Sequence, residues 1–371
     1  MKTVDTRRAE LELSYNGYDL SIDIAKYLID FSYTDAPSGE LDDLQITLQD
    51  RDNEWQTPEW MPLPGDSLKA AIRVRHWDKP GTAQKLQLGD FEVDTMDLSG
   101  PPSTVQIKGV SLGISSNIRQ EKRSKAWEKV TLRSIAGEIA KKAGYKLVYS
   151  APVNPTYDRL DQTEQSDLEF LLQQCKSEGV ALKVTGKQLV LFDELEYEKK
   201  PSVATYEIGK DKILSYSFSV AVAYAAYVAC EISYTQPKTK SKKKKTTASG
   251  SVATVTATAA AKGKSKTTTT YKVRFVPPGA PALGPVLKIK EKVTGKAEAL
   301  RKARNALREK NKDMGRSSLS VVGDIRMAAG VVITIGGAGT FDGNYLVESA
   351  AHRIGSGGYV TDLTIRPVLG W

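Results

Sequence analysis

A strand-and-turn pattern that occurs twice restricts this chain to a narrow set of folds. Near the start the sequence reads GDSLKAAIRVRH (residues 65–76), LGDFEV (88–93) and SGPPSTVQIKG (99–109). Near the end it reads GDIRMAAGVVITI (323–335), DGNYLV (342–347) and GSGGYVTDLTIRP (355–367). Each copy has a Gly-Asp turn, an alternating strand and a hairpin. Each then has Gly–polar–aromatic–x–Val, a long strand, a Gly/Pro-rich turn and a returning strand. Gly89, Phe91 and Val93 match Gly343, Tyr345 and Val347, and Val105 and Ile107 match Leu363 and Ile365. Apolar residues at every second position turn one face of each strand toward a core. The pattern therefore implies two similar β modules in one polypeptide. Three such chains around an axis would present six similar units, able to meet a sixfold object on one side and a threefold object on the other.

The rest of the chain arranges itself around these modules. Residues 1–116 read as all-β, with alternation in LQITL (44–48) and LKAAIRV (68–74) between turns at LPGD, DKPG and SGPPS. Residues 117–200 read as a small α/β domain. A helix is predicted from Leu132 to Ala143, with Thr131 as N-cap and Gly144 as stop, and its apolar face is Leu132, Ile135, Ala136 and Ile139. A second helix is predicted from Asp167 to Glu178. Ser166 and Glu169 have capping-box spacing before it, Gly179 ends it, and Leu168, Leu171, Leu172 and Cys175 form its stripe. Strands are expected at YKLVY, ALKV and QLVLF. Residues 201–371 open with strands between Thr205 and Tyr234, carry a helix from Lys296 to Lys312, and end in glycine-rich hairpins.

The net charge of +9 is confined to one segment. Residues 236–270 hold nine lysines and no acidic residue, and without them 44 basic residues face 44 acidic ones. A groove for a phosphate backbone would carry its cations on the folded body, with arginine and aromatic partners. The segment is Lys, Thr, Ser, Ala and Gly, too polar to offset chain entropy by burial, so a flexible insert between two strands is expected. Within it Lys242, Lys243, Lys244 and Lys245 are the candidate contact for an acidic partner or DNA. Two cysteines, Cys175 and Cys230, lie in apolar patterns and are expected as buried thiols in a reducing compartment. The opening MKTVDTRRAELELSYNG has no run of signal-peptide length. FSVAVAYAAYVACEI, from Phe218, is too short to span a bilayer and is read as strand.

Candidate chemistry is sparse. Asp161, Glu164, Asp167 and Glu169 could form an acid/base pair, but they crowd a helix N-terminus, where negative charge is favoured by the macrodipole. Cys175 falls on the apolar stripe. His76 and His352 are the only histidines, and neither has ligands at metal spacing. GGAG and GSGG lack the strand–loop–helix context of a phosphate cradle. Trp55, Trp60, Trp77 and Trp371 could be interface anchors or edge packing. No catalytic residue, metal or cofactor is assigned.

LDQTEQSDLEFLLQQCKSEGVALKV (160–184) resembles the central motif of phage late-control D proteins, the baseplate hubs of contractile tails related to type VI secretion hubs. Residues 323–367 are similar to the C-terminal barrel of that family, and AEALRKARNALREKNK to the helix before it. The resemblance implies an α+β, mainly β chain. Two similar tube-type β-barrel domains, 1–116 and 201–371, would flank the α/β domain 117–200, with the insert at 236–270 outside the pattern. It implies a homotrimeric, pseudo-hexameric ring joining tail tube protein to a separate spike protein, beside tape-measure and baseplate wedge or other hub proteins. It implies no enzyme and no membrane contact, with nucleic acid only as DNA passing through the channel. The chain would pass from the bacterial cytoplasm into a virion or tail-like particle. Two rival readings are a nucleic-acid-binding protein acting through the insert and a wall-degrading enzyme using the middle-domain carboxylates.

Overall fold

The structure, a computed structural model, describes residues 6–58, 60–111, 117–210, 212–219, 227–237, 253–258, 268–291, 293–312 and 315–371. The chain begins with strands β1 (Arg8–Tyr15) and β2 (Tyr18–Asp19), helix α1 (Ser21–Tyr27), and strands β3 (Leu28–Asp35), β4 (Asp43–Gln49), β5 (Ser67–Arg75), β6 (Ala83–Ser99) and β7 (Thr104–Val110). Helix α2 (Asn117–Gln120), β8 (Lys122–Thr131), α3 (Leu132–Lys142), β9 (Lys146–Tyr149), β10 (Thr156–Ser166), α4 (Asp167–Glu178), β11 (Ala181–Thr185), β12 (Gln188–Phe192) and α5 (Glu194–Glu198) follow. Next come β13 (Ala204–Glu207), β14 (Ile213–Ser217), β15 (Ala229–Pro237), β16 (Ala253–Thr258), β17 (Thr268–Phe275), β18 (Val286–Lys290) and α6 (Lys296–Lys312). The last strands are β19 (Ser317–Val322), β20 (Val332–Gly336), β21 (Gly343–Gly355) and β22 (Gly358–Pro367). Contacts divide the chain into two units. One takes residues 1–175, 180–218 and 317–368, the other 176–179, 219–316 and 369–371.

The first unit is built on a 13-stranded sheet in which one strand order occurs twice. The amino-terminal half runs β3-β4-β7-β6-β5-β1, and the carboxy-terminal half runs β14-β19-β22-β21-β20-β13, strand for strand in chain order. The first four pairings are antiparallel in both halves. The fifth differs: β1 runs antiparallel to β5, whereas β13 runs parallel to β20. Register irregularities also coincide. One falls between Leu28 and Asp30 in β3 and between Ile213 and Ser215 in β14. Another falls between Val93 and Thr95 in β6 and between Val347 and Ser349 in β21.

A bulge pins the register of a strand pair, so these positions test the residue matching. Gly89, Phe91 and Val93 do correspond to Gly343, Tyr345 and Val347: Phe91 stands opposite Leu68, and Tyr345 opposite Ile333. The returning strand is corrected by two residues. Val93 faces Gly109 and Val347 faces Ile365, so Ile107 corresponds to Leu363 and Val105 to Thr361. A two-residue slip keeps every side chain on its own face, so alternation alone cannot detect it. The shared Gly-Asp letters are also misaligned. Gly65 N–H donates to Val93 O at 2.8 Å, and Val93 N–H donates to Asp66 O at 2.9 Å. In the other half the same clasp on Val347 is made by Gly330 at 2.8 Å and Val331 at 2.9 Å, not by Gly323 and Asp324. What the two clasps share is a glycine at positive φ, +95° at Gly65 and +89° at Gly330.

The amino-terminal half is not all-β, because α1 intervenes. Ile22 and Ile24 alternate as a strand would, yet on a helix they point apart: Ile24 is buried and Ile22 exposed. Phe31, Leu44, Ile46, Leu48, Leu68 and Ile72 fill this half's core. Leu319, Val321, Ile333, Ile335, Val347 and Leu363 fill that of the other. The halves meet where β3 pairs antiparallel with β21, Tyr33 opposite His352 and Asp35 opposite Ala350.

The middle segment forms its own core. β12 pairs parallel with β9 and antiparallel with β11, and β8 pairs with β10. Helix α3 starts as its sequence predicts, with Thr131 Oγ1 accepting from Ser134 N–H at 3.1 Å. Ile135, Ile139, Phe170, Leu171, Cys175, Leu189 and Leu191 are buried together. Each large apolar side chain there contributes about 1.5–3 kcal/mol.

The second unit is a four-stranded sheet, β16-β17-β15-β18. Helix α6 contributes Ala299, Ala303 and Leu307 to a core with Cys230, Ile232 and Val273. β15 and β17 pair across the lysine-rich segment as expected. Within that segment, however, residues 253–258 form β16 and add to the free side of β17. The reason is local: four of the six residues of ATVTAT are β-branched, which suits an extended strand even where composition argues against burial. Residues 220–226 of the apolar run lie outside the described residues.

Candidate functional site

The acidic stretch at α4 resolves into capping and ion pairing. Ser166 N–H donates to Glu169 Oε2 at 3.1 Å, and Glu169 N–H donates to Ser166 Oγ at 3.2 Å, a reciprocal cap. Asp167 is buried and accepts from Gln162 Nε2 at 3.0 Å, from Lys142 Nζ at 3.3 Å and from Arg123 Nε. Burial alone would raise its pKa; the bonds from Gln162 and Arg123 outweigh that and hold it below the usual carboxylate range. It is thus locked as an anion and is a poor proton donor. Asp161 is exposed and pairs with Arg159 at 2.9 Å. Glu164 is exposed at an irregularity in the β8–β10 pair. Burial pushes the thiols of Cys175 and Cys230 up to about 12, so both stay protonated and unreactive at neutral pH.

The histidines have structural partners. Gly81 N–H donates to His76 Nδ1 at 2.8 Å. His352 is fully buried; its Nε2 lies 3.1 Å from Met327 O and its Nδ1 2.7 Å from Tyr359 Oη. The carbonyl can only accept, so Nε2 carries the proton. Burial lowers the pKa of His352 and keeps the ring neutral. Among the described residues no group of three His, Cys, Asp or Glu could hold a metal ion.

What the fold builds instead is a charged clasp at the junction of its parts. Lys183, on β11, reaches Asp35 at the end of β3, Asp42 Oδ1 at 3.1 Å and Ala36 O at 2.8 Å. Asp35 Oδ2 also accepts from Ala329 N–H at 2.7 Å, in the loop before β20. Lys183 and Asp35 together therefore tie the middle segment to both halves of the sheet. A second clasp centres on buried Arg366, which meets Glu198 Oε1 at 2.8 Å, Glu194 Oε2 at 3.3 Å and Glu348 Oε1 at 3.2 Å. Trp77 Nε1 donates to Gly323 O at 2.6 Å and its ring packs on Tyr359 at 5.4 Å, so it fastens the two halves. Trp55 and Trp60 pack edge to face at 5.8 Å, with Trp60 exposed. Lys242, Lys243, Lys244 and Lys245 lie outside the described residues.

Sequence reading passed over Asp35, Asp42, Lys183 and Arg366. One signal was present: Phe31, Tyr33 and Asp35 share one phase of β3, so a charge sits where alternation expects an apolar residue. Its partners lie 148 and 294 residues away, and nothing local names them.

Comparison with known proteins places this fold in a family. The model of the phage tail baseplate hub (GPD) family matches residues 116–358. The chain belongs to this family. The probable baseplate hub protein of Escherichia phage 186 is 26% identical over 182 residues, covering 48% of this chain and 44% of that protein. The chain thus matches less than half the length of this curated relative. The 43 kDa tail protein of prophage MuSo2 from Shewanella oneidensis has the same fold, with a TM-score of 0.67 at 14% identity over 97% of this chain and 98% of that one. A component of the E. coli type VI secretion system is also similar, with a TM-score of 0.57 at 9% identity over 96% of this chain and 76% of that one.

Proposed function

We propose that three copies of this chain close into a ring that joins a tail tube to the spike of a contractile tail or tail-like particle. The observation that carries the reading is the doubled strand order, with coincident bulges, inside one continuous sheet. Two equivalent halves per chain let a threefold ring present sixfold-like surroundings. In this reading the two halves of the doubled sheet, one in residues 1–116 and the other in residues 201–371 without the separate unit 219–316, each close as a tube-type β-barrel around a common channel. The work is mechanical: symmetry adaptation, a continuous channel and attachment of the spike, with no covalent step. Family membership supports the baseplate as its place in the particle.

Electron microscopy of the purified oligomer tests this. The expected image is a threefold ring with six similar densities at one height around a pore. A closed dimer, or halves at different heights, overturns it.

A further inference from the structure

The seam inside the chain uses two strand edges. One is the edge of β3 that faces away from β4. The other is the distal part of β21, residues 350–355, beyond the stretch 343–346 that β20 occupies. In the duplicated order the counterpart of β3 is β14, and the counterpart of β21 is β6. Counting from the bulges, Phe31 corresponds to Tyr216, since they face the equivalent Ile46 and Leu319. Ser32 corresponds to Ser217, His352 to Leu98 and Arg353 to Ser99. Among the described residues neither counterpart edge carries a strand. β14 ends the sheet order. β6 pairs with β5 only as far as Glu92, while it continues along β7 to Ser99.

The side chains repeat the same contrast. Phe31 and His352, inside the seam, are both 0% exposed, whereas their counterparts Tyr216 and Leu98 are 52% and 47% exposed. The correspondence also says what should stay outside. Leu214 is exposed, but so is its counterpart Ile29 at 44%, a position the seam does not cover.

We infer that each copy of this chain pairs its β14 edge antiparallel with residues 94–99 of β6 in the next copy, repeating between chains the junction it makes within itself. The inference rests on the ring reading and names its interface. The occupant is a second copy because each edge is the counterpart of one that already fits the other's counterpart. Backbone pairing supplies affinity, and alternate side chains set register. A chain carries one edge of each kind, so the contact is head to tail, the type that closes rings. Free edges with apolar side chains are otherwise an aggregation hazard, which this pairing removes. By the register of the seam, Ser217 falls opposite Ser99 and Phe218 opposite Leu98.

Cysteine cross-linking tests it, against a background of two buried native thiols. A mixture of Ser99→Cys and Ser217→Cys chains should form covalent heterodimers on oxidation, while neither variant alone does. The double variant should close into covalent trimers. Leu98→Asp, at an exposed position, should leave thermal unfolding unchanged at dilutions where the chain is monomeric and weaken self-association by at least about tenfold. A homodimer from either single variant, or a trimer by light scattering in which this pair never cross-links, overturns the strand pairing and leaves the ring standing. Closed cross-linked rings of another number overturn the threefold reading and leave the pairing standing. A chain that stays monomeric at its highest soluble concentration overturns both.

Discussion

Asp42 and Lys183 show how a single buried charge can govern stability. Burial pushes Asp42 up to about 6, and Lys183 only partly offsets that cost. One oxygen, Oδ1, accepts from Ala36 N–H at 2.9 Å, while Oδ2 has no hydrogen-bond partner. The folded chain therefore binds this proton more tightly than the unfolded chain. The stabilisation is fully present below the ordinary value of 3.8 and is lost as pH rises through about 6. Asp42→Asn removes the titration. Relative to wild type, the variant should gain on the order of 2–3 kcal/mol between pH 4 and pH 7. Urea unfolding at a series of pH values measures this; a constant difference across that window would mean that Asp42 ionises freely in the fold.

At the scale of elements, local signals held where stripe, start and stop agree. Helix α4 spans Asp167–Glu178 and α6 spans Lys296–Lys312, because caps, stops and 3.6-residue stripes are written within a dozen residues. Helix α1 was missed, since Ile22 and Ile24 mimic strand alternation. The clasps on Val93 and Val347 were half legible: a glycine was expected at each turn, but identical letters pointed to Gly323 rather than Gly330. The corrected pairing makes a prediction. Gly65→Ala meets open space and suffers only from its positive φ, costing about 1–2 kcal/mol. Gly330→Ala adds a Cβ 3.2 Å from Tyr197 Cδ1 and should cost more. Equilibrium denaturation of both variants checks the order; equal or reversed costs would remove the equivalence.

For the whole molecule, the lysine-rich segment is the part that the doubled sheet does not account for. Pro237 stands opposite Thr268, so β15 and β17 already meet across it. Replacing residues 238–267 with an Asn-Gly turn should therefore preserve the fold and the oligomer, although β17 loses β16 as a neighbour. Sedimentation of the shortened chain, with DNA retention compared at two salt concentrations, distinguishes the roles. Loss of the oligomer would move assembly onto this segment. Loss of salt-sensitive DNA retention would revive the nucleic-acid reading.

The amino-acid sequence alone determined most of the secondary elements, α1 and β16 excepted, the presence of two related β modules and the buried state of both thiols. All three depend on periodicity and caps that act over a few residues. Tertiary structure alone decided the register between the modules, the joining of both halves into one sheet and the partners of Lys183 and Arg366. Alternation has a period of two and cannot distinguish registers that differ by two. A salt bridge between groups more than a hundred residues apart leaves no mark on the chain until the sheet closes around it.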